Sequence, residues 1–299
     1  MTGEPEPDPH EILETIDWQA AADPVRITVG WDTLLWRFST ADGREHALRL
    51  YRASSHPAQL VLAAEAEALA MQAARAAPLP VPAIEARGMF EGIPFFVLSW
   101  QRGEMMLDYG QKRPWRIGVL SRNFGRAQAR LHAIAAPPGL RKFDGDWLDQ
   151  HVDHPGLVAA LKADASFQTL CHLDYHPLNV LVRGKRISGV LDFANAAVSD
   201  RRADLAFTKT ALLAVPLPHD WTRPVLQQVR KYVAREWERG YRAEAGEFPL
   251  TPAYEALGIW HYTSEVEQAV REGRGWAKEA DLASLHAYRD ARLRDAGLD

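Results

Sequence analysis

Residues 171–193, CHLDYHPLNVLVRGKRISGVLDF, gather His172, Asp174, Asn179 and Asp192 in one window of turn formers and β-branched residues. The run from Asn179 to Asp192 reads as two short strands joined at Arg183-Gly184-Lys185, where Gly184 supplies the positive φ of a hairpin turn. Folded that way, Asn179 and Asp192 meet at the open end, where facing side chains stand about 5 Å apart. An amide oxygen and a carboxylate at that separation make a hard-oxygen site suited to Mg²⁺, which takes one or two protein ligands and fills the rest of its shell with water and phosphate. Asp174 precedes Asn179 in a turn containing Pro177 and can face the same cavity without binding the metal. A carboxylate held there accepts the proton of an attacking hydroxyl.

A histidine, an acid, an amide and a second acid beyond a hairpin form the general layout of a phosphoryl-transfer site, with His172 bracing the loop through its ring. Outward from this window the chain divides in two. Before it, VRITVG, TLLWRF and EHALRLYR are short β-branched or aromatic runs separated by WD and TADG, an antiparallel meander with turns at Gly30 and Gly43. Residues 57–76 keep helical spacing at Leu62, Leu69, Ala73 and Ala76. PLPVP at 78–82 then stops the helix, because proline has no amide to donate and forces its predecessor into extended backbone. AIEARGMF and IPFFVLSW complete a sheet of about five strands.

Beyond QRGE the spacing changes to threes and fours. Ile117, Leu120, Phe124, Ala127, Leu131 and Ile134 mark one long amphipathic helix. After the hairpin, RADLAFTKTALL, TRPVLQQVRKYVAREWERGY, YEALGIWHYTSEVEQAV and WAKEADLASLHAYRDARLR also read as helices. The expected fold class is α+β and bilobal: a small antiparallel N-lobe with one helix over 25–98, a hinge over 99–104, and a larger, mostly helical C-lobe over 105–299. Residues 1–24, acidic and Pro-rich at their start, are expected to be partly disordered, since little apolar surface offsets the entropy of ordering them.

A chain of 299 residues with 47% hydrophobic content can bury the cores of two lobes. Its 35 basic and 39 acidic residues leave a formal charge of −4, so no basic field is available to collect nucleic acid or an anionic membrane. No run reaches the roughly 20 apolar residues of a membrane span. Even LVLAAEAEALAMQAARAA is broken by Glu65 and Glu67. The lone Cys171 cannot close an intramolecular disulfide, and MTGEPEPDPHEILE lacks the basic-then-apolar order of a secretory signal, so a cytoplasmic protein is expected.

HLDYHPLNVLV resembles the catalytic loop of the aminoglycoside phosphotransferase family, the broad protein-kinase-like group that also holds choline, homoserine and fructosamine kinases. GVLDFANAAVSDRRADLA is similar to its metal-binding segment, and FGRAQARLHAI to its long helix ending in Leu-His. The likeness spans about residues 25–210. It implies a protein-kinase-like fold and an ATP-dependent (or GTP-dependent) kinase using Mg²⁺ and a small-molecule hydroxyl. Asp174 would be the catalytic base, Asn179 and Asp192 the metal ligands, and Asp200 and Asp204, with His172, the supports of the loop. The phosphate-binding lysine of such kinases falls at Arg49 in HALRLYR, where a planar fork replaces a point-like ammonium. Its ion-pair partner on the first helix is expected at Glu65, between Leu62 and Leu69 on the apolar stripe, in preference to Glu67 among alanines. Gly30 in VGWDTLLW stands where a nucleotide loop belongs, without a G-x-G-x-x-G. Adenine would bond to the linker backbone around Ser99–Gln101, beside Trp100, which is either a cleft wall or a core aromatic. Asp192-Phe193-Ala194 lacks the glycine of a flipping activation segment.

The resemblance implies an aminoglycoside or another antibiotic as acceptor, and a polycationic sugar calls for an acidic pocket. Acidic and basic residues nearly balance from residue 137 onward. Trp260, Tyr262, Glu265 and Glu267 in WHYTSEVEQ offer an aromatic and acidic wall for a cation, although at helical spacing such residues are more often core and solvated surface. The brief segment 137–169 leaves the substrate side open. Choline, ethanolamine, homoserine, a sugar and a macrolide stay as alternative acceptors. So does a catalytically silent nucleotide-binding protein, against which Asp174, Asn179 and Asp192 together argue. Oligomeric state is not legible.

Overall fold

Short runs of β-branched and aromatic residues build the first sheet. In the computed structural model, which describes residues 6–28, 33–52, 57–163, 165–214, 222–273 and 278–298, it holds β1 (Val25–Ile27), β2 (Thr33–Ser39), β3 (Glu45–Tyr51), β4 (Ile84–Phe90) and β5 (Ile93–Ser99). The order is β1-β2-β3-β5-β4 with every neighbour antiparallel. β3 and β5 bury nearly every side chain, whereas edge strand β4 alternates exposed and half-buried positions, as a strand with one wet face does.

Two helices cover the sheet. Within residues 1–24, expected to be partly disordered, Pro9–Glu14 is ordered and forms α1. Asp8 caps it by accepting the His10 amide (2.9 Å), and Ile12 and Leu13 are buried beneath Leu34, Trp36, Leu48, Leu50 and Phe95. Two apolar residues at adjacent positions give this short helix enough burial to dock; residues 1–5 lie outside the described residues. On the other face α2 (Pro57–Ala76) turns a side of small residues inward, with Ala64, Ala68, Met71 and Ala74 buried and Leu62 64% exposed. The stripe expected through Leu62 is therefore rotated: α2 sits close to the sheet because its contact face is alanine.

The second lobe begins with β6 (Glu104–Met105), α3 (Met106–Lys112) and α4 (Ile117–His132). There follow α5 (Gly145–His151), α6 (Pro155–Lys162), β7 (Thr169–Cys171), β8 (Val180–Arg183), β9 (Arg186–Val190), β10 (Ala197–Ser199) and α7 (Arg201–Leu213). Three long helices, α8 (Arg223–Ala245), α9 (Pro252–Arg271) and α10 (Glu279–Asp295), complete it. The short α3, α5 and α6 carry too few turns to show a period in sequence. β8 and β9 pair through Val180↔Val190 and Arg183↔Arg186, with Gly184 at φ 67° in the turn and β6 added along β8. β7 pairs with β10, Cys171 opposite Ala197, and burial pushes the Cys171 thiol well above the ordinary value. Among the described residues no helix is long and apolar enough to cross a membrane.

α4 and α8 run side by side at a separation set by glycine. A Cβ on Gly125 would stand 2.0 Å from the Trp237 carbonyl oxygen, and one on Gly240 would stand 1.9 Å from that of Arg122. This crossing brings Trp237 and Tyr241 under the helix that carries Gln128 and His132. Gly125→Ala is expected to lower unfolding free energy by about 1–3 kcal/mol, the cost of overpacking a rigid contact, read from urea midpoints at unchanged m-value.

Candidate active site

The hairpin closes as its sequence dictates. One further ladder bond, Leu191 N–H to the Asn179 carbonyl (2.9 Å), carries the pairing past Val180↔Val190 and leaves Asp192 one residue beyond, at the mouth. His172 Nε2 reaches the Leu191 carbonyl (2.9 Å) and its ring lies against Phe193, centroids 4.7 Å apart; Nδ1 has no partner among the described residues. Two residues of this loop are left-handed, Leu173 at φ 60° and Asp192 at φ 62°. For a residue with a Cβ that conformation costs about 1–2 kcal/mol, so the surroundings must hold it.

At Leu173 the holder is Asp204. One carboxylate oxygen accepts the Leu173 amide (2.6 Å); the other accepts His132 Nε2 (2.7 Å) and Gln128 Nε2 (3.2 Å). Gln128 in turn accepts Trp237 Nε1–H (2.8 Å) and donates to Thr208 Oγ1 (2.8 Å), whose hydroxyl donates to the Tyr175 carbonyl (2.9 Å). Burial works against the Asp204 charge, but the hydrogen bond and charge of His132, aided by His172 and Gln128, outweigh it and hold the carboxyl below the usual range. Asp200 acts at the start of α7, accepting the amides of Arg202 (2.9 Å) and Ser166 (2.9 Å) and the Arg202 guanidinium (2.7 Å).

Asp174 sits at the centre. Its Oδ2 and its main-chain carbonyl accept Asn179 Nδ2 at 2.9 and 3.0 Å, while Oδ1 stands 3.1 Å from His176 Nε2. The amide nitrogen of Asn179 is thereby turned to Asp174, with His176 Nε2 3.3 Å away, and its oxygen has no partner among the described residues. On the facing strand Asp192, nearly half exposed, accepts Arg49 Nη2 on Oδ1 (3.2 Å); its Oδ2 has no partner among the described residues. One amide oxygen and one carboxylate at the same mouth are hard-oxygen donors of the kind Mg²⁺ takes, and the neighbouring His176 ring is turned to Asp174 instead.

His176 is a site residue that the sequence reading passed over, although it stands inside the quoted window. Leu178 N–H donates to its Nδ1 (3.3 Å), which turns Nε2 to Asp174. Burial opposes a charge on this ring, but the Asp174 hydrogen bond and the fields of Asp174, Asp192 and Glu265 prevail and raise its pKa. The ion-pair expectation is corrected: Arg49 Nη1 donates to Glu67, not to Glu65. Glu65 is exposed and Glu67 is buried, because the alanines around Glu67 bring that side of α2 onto the sheet at β5 and β4, within reach of the Arg49 and Tyr51 side chains of β3. Glu67's second oxygen accepts the Tyr51 hydroxyl, another contact unread in the sequence.

At the edge of the cleft the Ser99 amide donates to Ala83 (2.9 Å) and the Trp100 amide to Glu45 (3.1 Å), while the Gln101 amide has no partner among the described residues. The Gln101 side chain donates to Ser99 Oγ (3.1 Å), and the Trp100 ring stacks under the Arg37 guanidinium at 5.0 Å. Gly30 lies outside the described residues. On α9, Glu265 is within field range of His176 and lies 3.4 Å from His261, which stacks on Phe207 and meets Trp147 edge-on. Tyr262 is half-buried, and burial with Glu265 pushes its hydroxyl to about 12.

Because the Asp204 carboxyl is depressed in the fold and near 4 when unfolded, its stabilisation is complete above about pH 4 and is lost as pH falls through the folded value. Asp204→Asn is expected to remove this part of the acid dependence and to cost about 3–5 kcal/mol at pH 7, as loss of one partner of a buried pair does. Urea unfolding at pH 7 and pH 3 measures both.

The phosphotransferase enzyme family matches residues 23–246. No curated protein matches the chain at a significant level. Among solved structures it is similar to a thermostable mutant of aminoglycoside phosphotransferase APH(4)-Ia in ternary complex with AMP-PNP and hygromycin B, at 17% identity and TM-score 0.65, covering 96% of this chain and 97% of that one. It is also similar to macrolide 2'-phosphotransferase MphH from Brachybacterium faecium, at 21% identity and TM-score 0.54, covering 92% and 97%. A third likeness is a putative fructosamine-3-kinase from Thermobifida fusca YX-ER1, at 18% identity and TM-score 0.53, covering 93% and 95%. These likenesses carry the protein-kinase-like fold. With the family match over most of its length, the chain belongs to the phosphotransferase enzyme family and is an ATP-dependent phosphotransferase acting on an alcohol group.

Proposed function

We propose that this phosphotransferase moves the γ-phosphoryl of ATP, with Mg²⁺, to a hydroxyl of an amine-bearing small molecule of the aminoglycoside type. The observation that carries the chemistry is the convergence of Asp174, Asn179 and Asp192 at one hairpin mouth, with Arg49 reaching the same place from the other lobe. Asp174 takes the proton as the acceptor oxygen forms its bond to the γ-phosphorus, and the bond from that phosphorus to the β-phosphate oxygen breaks, ADP leaving with its electron pair. Asn179 and His176 aim the carboxylate, one at each oxygen. Asn179 Oδ1 and Asp192 would hold Mg²⁺, which when bound neutralises charge on the phosphates. Arg49 would bind the α- and β-phosphates, and the Gln101 amide the adenine edge.

An amine acceptor is supported by Glu265, whose field reaches the catalytic loop, and by the aromatic faces of Trp147 and His261 behind it. Leu107 and Leu178, both exposed beside the same loop, favour a second reading in which the acceptor is a broad apolar molecule such as a macrolide.

Asp174→Asn is expected to lower kcat about 10²–10⁴-fold, with nucleotide affinity little changed, because the base does not hold ATP. Asn179→Ala and Asp192→Ala should each lose Mg²⁺-dependent nucleotide binding, measured by titration with and without the metal. A nucleotide-consumption screen over aminoglycosides, macrolides, amino alcohols and sugars separates the acceptors. Glu265→Gln should raise KM about tenfold for an amine acceptor, the size of one charged hydrogen bond, and leave that for a neutral one unchanged.

A further inference from the structure

Arginine facing a carboxylate ordinarily closes a two-pronged pair, two parallel N–H···O bonds made by one fork. Arg49 does not. Its Nη1 takes one oxygen of Glu67 and its Nη2 turns to Asp192 in the other lobe (3.2 Å). The second oxygen of Glu67 accepts the Tyr51 hydroxyl, a donor that competes with Arg49 Nη2 for it. Arg49 and Tyr51 lie two residues apart on β3, so their side chains share one face. The Tyr51 ring is fixed edge-on against Phe96, centroids 5.9 Å apart, with the Arg49 guanidinium 5.3 Å from its centroid. Tyr51 is 5% exposed, Glu67 1% and Arg49 8%, so each buried polar atom here needs a protein partner.

We propose that Tyr51 is a positioning residue for nucleotide binding: by donating to one oxygen of Glu67 it competes with Arg49 for that oxygen, disfavours the two-pronged pair and keeps the second nitrogen of Arg49 turned to the cleft. The inference rests on Arg49 being a phosphate ligand. Without the hydroxyl, the Glu67 oxygen it leaves is open to Arg49 Nη2, carried by the same guanidinium that already bonds the other oxygen, and the fork closes on the helix. A lysine has a single ammonium and no second prong, so it would need no such block. Tyr51 therefore matters to an arginine at position 49 and not to a lysine.

The test is a double-mutant cycle of Tyr51→Phe and Arg49→Lys, read as Mg·AMP-PNP affinity by calorimetry and as KM for ATP against kcat. Tyr51→Phe alone is expected to weaken nucleotide binding about tenfold or more and to raise KM well beyond any change in kcat. In the Arg49→Lys background the same substitution should change affinity less than about twofold. Equal weakening in both backgrounds would mean that Tyr51 acts on the fold alone, and overturns the proposal, as does unchanged affinity in Tyr51→Phe. A crystal structure of Tyr51→Phe gives a readout independent of nucleotide: both terminal nitrogens of Arg49 on Glu67 are expected, and Nη2 still on Asp192 overturns it. Failure of the unaltered chain to bind Mg·AMP-PNP would overturn the kinase reading of the site, whereas additive effects in a binding-competent chain overturn only the role of Tyr51.

Discussion

A single buried carboxylate sets the geometry of the loop that carries Asp174. Asp204 has no exposed surface, and its two oxygens divide their work between the loop and the helical floor. On one side it fixes the Leu173 amide and with it a left-handed backbone that a leucine resists; on the other it is anchored by His132 and Gln128 of α4. Those two side chains are in turn tied to Tyr241 and Trp237 of α8, at the crossing that Gly125 and Gly240 keep narrow. Direction at Asp174 is thus inherited from helix packing some distance below it. The loop is held by its floor, and its own hydrogen bonds only finish the aim.

The lobes meet through charge. Tyr51, Glu67, Arg49 and Asp192 form one line of contacts from the sheet, through α2, to the hairpin mouth. Arg49 stays ionised despite its burial, because Glu67 and Asp192 stand on either side and raise its pKa further. One cation between two carboxylates leaves this cluster with one more acidic than basic group.

Where residue chemistry and local period decide the outcome, the fold was legible. The hairpin followed from Gly184 and its β-branched flanks, and the five-strand sheet, α4 and the long helices of the second lobe followed from periods of two and of three to four. Burial that depends on a partner element was not legible. Alanine dominates α2 and is spread all round it, so its sequence does not say which side meets the sheet; the structure turns Glu67 inward and leaves Leu62 in water. α1 escaped because six residues after a Pro-rich start show no period, and only the sheet beneath explains why Ile12 and Leu13 are buried. His176 was overlooked beside three residues of stronger reputation, and Tyr51 gave no signal at all, since its contact joins a strand to a helix that has no fixed register in the sequence. The grouping of Trp147, Phe207 and His261 was out of reach because α5, α7 and α9 come together only in the fold.

The chain's one sulfhydryl occupies an informative position. Cys171 ends β7, next to His172, with β10 across it and no exposed surface. Burial keeps the sulfur protonated as well as inaccessible, so alkylating and oxidising agents find no thiolate in the native protein. Its chemistry is released only when the β7–β10 pair separates, and that separation would also dislodge the platform from which Asp174 projects. A trapped thiol would therefore count openings of the catalytic platform itself, with no second cysteine to confuse the record.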